Sequence, residues 1–172
     1  MKNIVLIGIT GVGKSTIGKI LAYRLCKEFI DLDKSIEEHC GVDIPTIFEI
    51  EGEEGFRKRE TNELRHQINN CPDFVLSLGG GCIMCSENRA LLANTNAIII
   101  QLYANIDILV TRLSKSITRR PLFNNVDITS KITELYKIRK EQYDSITDFK
   151  VNTSAMKPSQ IIETIISYVK TI

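Results

Sequence analysis

The segment Gly8-Ile9-Thr10-Gly11-Val12-Gly13-Lys14-Ser15 constrains this chain more than any other. It reads glycine, four residues, then Gly-Lys-Ser. Before it lies a continuous apolar run, Ile4 to Ile7, as expected of a strand buried on both faces. After it Ile17, Ile20, Leu21, Ala22 and Leu25 recur at helical spacing. A strand, a glycine-rich turn and a helix in that order present a curl of backbone N–H groups to a polyphosphate. A side chain on the inner surface would block the ligand, and glycine also admits the positive φ that such a curl requires. The helix start aims unpaired N–H groups and a positive dipole end at the same anion. Gly11, Val12, Gly13, Lys14, Ser15 and Thr16 are therefore candidate nucleotide-binding residues. Lys14 would reach the β- and γ-phosphates of ATP as a movable point charge, and the Ser15 hydroxyl is a hard oxygen suited to Mg²⁺.

The rest of the chain continues the alternation that this segment begins. Strands are expected at 4–7, 29–33, 74–78, 97–103 and 149–152. Helices are expected at 15–27, 35–40, from Pro45, at 52–69, 86–93, 105–113, 128–146 and 158–169, with Ser86 and Asn105 as candidate caps. Parallel strands need crossovers, usually helical, so the pattern predicts an α/β fold of three layers around a five-stranded parallel sheet. Ligands of such sheets sit beyond the carboxyl ends of the strands. The glycine turn, Asp31 and Asp33, and Gly79-Gly80-Gly81 all follow strands and should meet at one edge.

Composition narrows the partners. The 172 residues are the length of a single domain, and 43% hydrophobic with 25% charged residues is ordinary for a globular chain. A net charge of +1 argues against nucleic acid or an anionic membrane as the main partner. No apolar run approaches the roughly 18 residues of a membrane span, and the first residues do not read as a secretion signal. The five cysteines, at 26, 40, 71, 82 and 85, are an odd number, which fits a reducing, cytoplasmic setting. Cys82-x-x-Cys85 lacks the second pair that a zinc site usually wants.

The phosphate-binding segment alone does not choose among kinase, ATPase and GTPase. No Asn-Lys-x-Asp base-reading motif is present, and Val75-Leu76-Ser77-Leu78 runs into glycines rather than Asp-Glu. A small-molecule kinase remains. Four features, in order, carry a closer resemblance: the loop at 8–16; Phe29-Ile30-Asp31-Leu32-Asp33; Gly55-Phe56-Arg57-Lys58-Arg59-Glu60 followed by Leu76-Ser77-Leu78-Gly79-Gly80-Gly81; and Arg120-Pro121-Leu122 with Arg139 and Tyr143 beyond. Together they resemble shikimate kinases over nearly the whole chain. Two departures stand out. Lys140-Glu141-Gln142 follows Arg139 where that family commonly has a proline before the tyrosine, and Thr10 and Val12 differ from its usual loop residues.

The resemblance implies a P-loop NTPase fold like that of the nucleoside monophosphate kinases. It implies one kinase domain over 1–172, a substrate-binding region at about 33–60 and a mobile lid at about 114–125. It implies ATP-dependent phosphorylation of the 3-hydroxyl of shikimate, on the chorismate route to aromatic amino acids, with Mg²⁺ as cofactor. Shikimate carries a carboxylate, and planar guanidinium forks fix such a group by bidentate pairing. Arg57 and Arg139 are the positions implied for that task, with Glu60 one helical turn from Arg57 and able to hold it. Asp33 would orient the reacting hydroxyl and take its proton late, since phosphoryl transfer needs positioning more than a strong base. Gly79, Gly80 and Gly81 would let backbone N–H groups approach the substrate. Asp31 would face Mg²⁺ through water, beside direct ligation by Ser15. Arg120 would enter on lid closure and neutralise the transferring phosphoryl. Arg112 is a candidate against the adenine. Catalytic candidates are thus Lys14, Asp33 and Arg120. Two readings stay open beside this one: a kinase of another polyol acid such as gluconate, and a nucleotide-dependent binding protein without turnover, against which the joint presence of Asp33, Arg57 and Arg120 argues. The expected partners are ATP and shikimate alone, and the expected unit is a monomer.

Overall fold

A computed structural model describes residues 1–114 and 127–172. Among these, five strands form one parallel sheet: β1 (Asn3–Ile7), β2 (Glu28–Asp31), β3 (Phe74–Ser77), β4 (Ala97–Tyr103) and β5 (Phe149–Asn152). Their order across the sheet is β2-β3-β1-β4-β5, as alternation of strands and helices requires of parallel crossovers. The helices are α1 (Lys14–Leu25), α2 (Leu32–Cys40), α3 (Ile44–Asn70), α4 (Ser86–Ala93), α5 (Ile106–Ser114), α6 (Ile128–Ile146) and α7 (Pro158–Val169), with a short 3-10 turn at Cys82–Met84. No helix of the described residues is long and apolar enough to cross a membrane.

Strand side chains alternate between two cores. Ile4 and Leu6 of β1 join Val75, Ile98, Ile100 and Leu102 in a cluster that also takes in α1, α5, α6 and α7 residues. Val5 and Ile7 join Leu76 and Ile99 on the other face, with residues of α2, α3 and α4. A strand buried on both faces is largely apolar, which is why Ile4–Ile7 and Phe74–Leu76 run without a polar residue. Burial of this kind stabilises by roughly 25 cal/mol per Å² of apolar surface, so each fully covered Leu or Ile contributes about 2 kcal/mol.

Several predicted boundaries move. Strand β2 ends at Asp31 rather than residue 33, because its only partner is β3 and the paired register stops at Asp31 opposite Ser77. Leu32 then turns inward, fully buried, and Asp33 stands in the first turn of α2. Helix α1 stops at Leu25, where Cys26 adopts a left-handed conformation and its N–H caps Ala22 and Tyr23. The two helices expected from Pro45 and over 52–69 run together as α3, bent at Gly52, whose φ of 68° and ψ of −173° are not helical. Asp43 caps that helix by accepting from the Thr46 N–H, and Pro45 sits in its first turn. Ser86 is the first helical residue of α4 rather than its cap; Cys85 holds the cap position, with no side-chain bond.

Candidate functional site

The site grows from the carboxyl ends of the three strands on one side of the sheet. Leu6 of β1 lies level with Ser77 of β3, and Ser77 with Asp31 of β2. The segments after those residues therefore leave the sheet side by side, although they are tens of residues apart in sequence. Gly8 is at φ 141°, and a Cβ there would stand 2.2 Å from the Leu102 carbonyl oxygen, so only glycine fits against β4. Gly13 caps α1 without a side chain, leaving the N–H groups of the first helical turn facing the loop. Lys14 folds across the loop and donates from Nζ to the Gly8 carbonyl at 2.7 Å and the Ile9 carbonyl at 3.2 Å. This nest matches an anion-binding helix start.

Ser15 donates from Oγ to Asp31 Oδ2 at 2.6 Å, beside the same loop. Both are hard oxygens, and there is no group of three or more His, Cys, Asp and Glu among the described residues that could cage a metal ion. Mg²⁺ typically keeps several waters and binds through one or two protein oxygens plus phosphates. The Ser15–Asp31 pair fits that ion better than a dedicated protein cage would.

Opposite the loop, the three successive glycines act as a hub for charged side chains from three helices. A Cβ at Gly79 would meet Asp33 Oδ1 at 2.7 Å and Glu60 Oε1 at 3.2 Å. At Gly80 it would meet Arg139 Nη1 at 3.3 Å, with the Thr10 backbone N of the phosphate loop at 3.4 Å. At Gly81 it would meet Arg57 Nη2 at 2.6 Å. Glycine is needed here for close approach. Arg139 Nη1 and the Tyr143 hydroxyl both donate to the Gly80 carbonyl, at 2.9 and 2.7 Å. They stand four residues apart on α6, one above the other on one helical face. The Lys140-Glu141-Gln142 stretch leaves α6 unbroken from Ile128 to Ile146, so Arg139 is oriented by helix and carbonyl together. Arg57 Nη1 donates to Glu60 Oε2 at 2.7 Å, and Nη2 to Glu53 at 3.3 Å.

The electrostatics follow from this crowding. Asp33 has its carboxyl pushed up, first by burial and then by the Asp31 charge, against the pull of Lys14 and Arg57. Burial raises Glu60 to about 7, although Arg57 opposes it. Burial works against the charge on Arg57, and Glu60 and Glu53 together more than restore it, so its guanidinium is held above its usual range. The Cys82 thiol, fully buried beneath these acids, is raised by burial and then by Glu60 and Asp33; it is inert packing rather than a nucleophile.

Of the predicted residues, Gly11, Val12, Gly13, Lys14, Ser15 and Thr16 form the loop and helix start, and Asp31 joins them. Asp33, Arg57, Arg139 and Gly79–Gly81 gather beside it. Arg120, with Pro121, Leu122 and all but the first residue of the expected lid, lies outside the described residues. Arg112 donates to the Thr153 carbonyl at 2.6 Å, the Thr153 hydroxyl at 3.1 Å and the Gly11 carbonyl at 3.5 Å, which ties the loop to the segment after β5. Sequence reasoning missed that Thr153 is buried, and it missed that Glu60 keeps one oxygen, Oε1, buried without a hydrogen-bond partner among the described residues. The spacing of Arg57 and Glu60 signals their pairing, but nothing local signals the burial. A cavity of about 410 Å³ lined by Ile36, His39, Cys40, Arg59 and neighbours holds none of the candidate residues.

The family model described as shikimate kinase matches residues 10–170. The shikimate kinase of Marinomonas sp. (strain MWYL1) is 41% identical over 169 residues, 98% of this chain and 92% of its own length. That of Francisella tularensis subsp. novicida is 43% identical over 167 residues, covering 97% and 94%. Among solved structures, the Acinetobacter baumannii shikimate kinase in complex with shikimate superposes with a TM-score of 0.91 at 34% identity, over 99% of this chain and 94% of that one. A phosphate loop on the central strand, an acid- and arginine-lined cleft beside it and this full-length likeness lead to one conclusion: the chain belongs to the shikimate kinase family.

Proposed function

We propose that this enzyme moves the γ-phosphoryl group of ATP to the 3-hydroxyl of shikimate, and that the cleft residues divide the work as follows. The loop N–H groups and Lys14 hold the phosphates. Ser15 directly and Asp31 through water would hold Mg²⁺, which would supply positive charge against the β- and γ-phosphates. Arg57 and Arg139 pair with the shikimate carboxylate, and backbone groups of Gly79–Gly81 line its ring. The acceptor is thereby fixed with one hydroxyl toward the phosphate loop, which supplies much of the rate through orientation. That hydroxyl oxygen forms the new bond to phosphorus as the bond to the ADP oxygen breaks. Its proton passes to Asp33. A carboxyl raised by burial is a better proton acceptor than a free aspartate, and the raised Asp33 suits that step. Arg120 is assigned to the transferring phosphoryl by its Arg-Pro-Leu motif.

The observation that carries this reading is the meeting of Asp33, Arg57 and Arg139 at three consecutive glycines, with Gly80 against the phosphate loop. The products are shikimate 3-phosphate and ADP, on the route to chorismate and aromatic amino acids. Five free thiols and a net charge of +1 fit a cytoplasmic monomer with small-molecule partners, and sedimentation of the purified protein would test the monomer. A coupled ADP-release assay with shikimate and with gluconate tests the reaction. Turnover with shikimate well above the rate with water or gluconate is the expected result. ADP release no faster with shikimate than with water would reject it.

A further inference from the structure

Glu60 carries more than the hold on Arg57. Its side chain is 1% exposed. One carboxylate oxygen, Oε2, is spent on Arg57, while Oε1 is buried, has no hydrogen-bond partner among the described residues, and stands beside Gly79 where Asp33 Oδ1 also stands. A bare carboxylate oxygen buried in this way is costly, whereas a proton on it would have a neighbouring carboxylate to face. The charged and titratable groups around Glu60 can be named, among the described residues, from every element that packs here. They are Arg57, with Glu53 behind it, on α3; Asp33 at the start of α2; Arg139 on α6; and the Cys82 thiol below. Inside the cleft Arg57 and Arg139 thus face Glu60 and Asp33, with Lys14 on the far side of Asp33 and Glu53 exposed at the rim. An acceptor that brings its own carboxylate to Arg57 and Arg139 adds a further negative charge beside the buried Glu60 carboxyl. Two carboxylates forced together this way favour holding one proton between them.

We infer that Glu60 is a proton-linked positioning residue: when the acid substrate takes its share of Arg57, Glu60 binds a proton on Oε1, so that acceptor binding and proton uptake are one coupled event. The inference rests on the reading above that Arg57 and Arg139 receive the substrate carboxylate. Burial already raises Glu60 to about 7, so it is largely ionised before binding once the pH exceeds that value. The added negative charge raises it further. By linkage, shikimate affinity falls as pH rises above about 7, with a limiting slope of about tenfold per pH unit.

Calorimetric titration of the enzyme with shikimate at pH 8, in phosphate and in Tris, reads the protons taken up from the difference in apparent enthalpy. Uptake of at least about half a proton is expected for the wild type. Glu60→Gln, which keeps a neutral group of the same shape, is expected to bind shikimate with no uptake and with affinity flat between pH 7 and 9. Wild-type binding with no proton exchange overturns the inference and leaves the substrate reading intact. Uptake undiminished in Glu60→Gln overturns it as well, by placing the proton elsewhere. No binding of shikimate by the wild type would instead overturn the reading on which it stands.

Discussion

At the scale of single residues, Lys14 is the clearest case of a side chain defined by its backbone surroundings. It already spans the loop through two carbonyls, so a phosphate entering the nest meets its ammonium at once. Lys14→Ala and Asp33→Ala are each expected to lower kcat by at least about a hundredfold, because both act on groups whose charge changes in the transition state. An ADP-release assay giving near-normal kcat in either variant would remove its assigned role. Arg57 acts differently. It meets the acceptor in ground and transition states alike, so Arg57→Ala is expected to raise the KM for shikimate about tenfold or more while kcat changes less. Glu60 would then lose its counter-ion, so the KM effect includes the cost of stranding a buried acid.

At the scale of elements, the glycines separate structure from function. Gly8 ends β1 at a positive φ with the β4 backbone 2.2 Å from any Cβ, and a backbone carbonyl of a central strand cannot move aside. Gly8→Ala is therefore expected to destabilise the fold by about 3 kcal/mol or more, read as a lowered denaturation midpoint. A Cβ at Gly79 would first meet the carboxyl groups of Asp33 and Glu60 rather than backbone. Gly79→Ala is expected to change stability by no more than about 2 kcal/mol yet lower kcat/KM for shikimate at least about tenfold, by displacing both carboxylates. Equal losses of stability in the two variants would contradict this division. Helix α3 shows the same economy. Its bend at Gly52 precedes the stretch from which Arg57 and Glu60 reach the cleft, while Lys58 pairs outward with Glu54 at 72% and 84% exposure.

At the scale of the whole molecule, the buried acids make stability depend on pH. Glu60 is raised from 4.5 in the unfolded chain to about 7 in the fold, the reverse of the usual carboxylate case. Between those values the folded state binds more protons than the unfolded one, so stability falls as pH rises from about 5 to about 8 and is fully present only below about 4.5. Thermal melts across that range are expected to show Glu60→Gln losing less of its Tm than the wild type. Parallel curves would mean that Glu60 titrates normally.

Much of this architecture is legible without coordinates. The Gly8–Ser15 segment between an apolar run and an amphipathic one dictates a phosphate-binding turn, because only backbone N–H groups free of side chains can wrap an anion. The alternation of strands and helices dictates parallel pairing, and with it the edge at which ligands gather. The tertiary structure alone decided which charges of the Arg57-Lys58-Arg59-Glu60 run face the cleft, that β2 stops at Asp31 so that Asp33 points from a helix start, and that Glu60 is left with a buried oxygen unpaired among the described residues. Local pattern records what a residue prefers beside its neighbours in the chain. Desolvation and pairing depend on groups that arrive from Gly79, Cys82 and Arg139, and their contribution exists only once the sheet has brought them together.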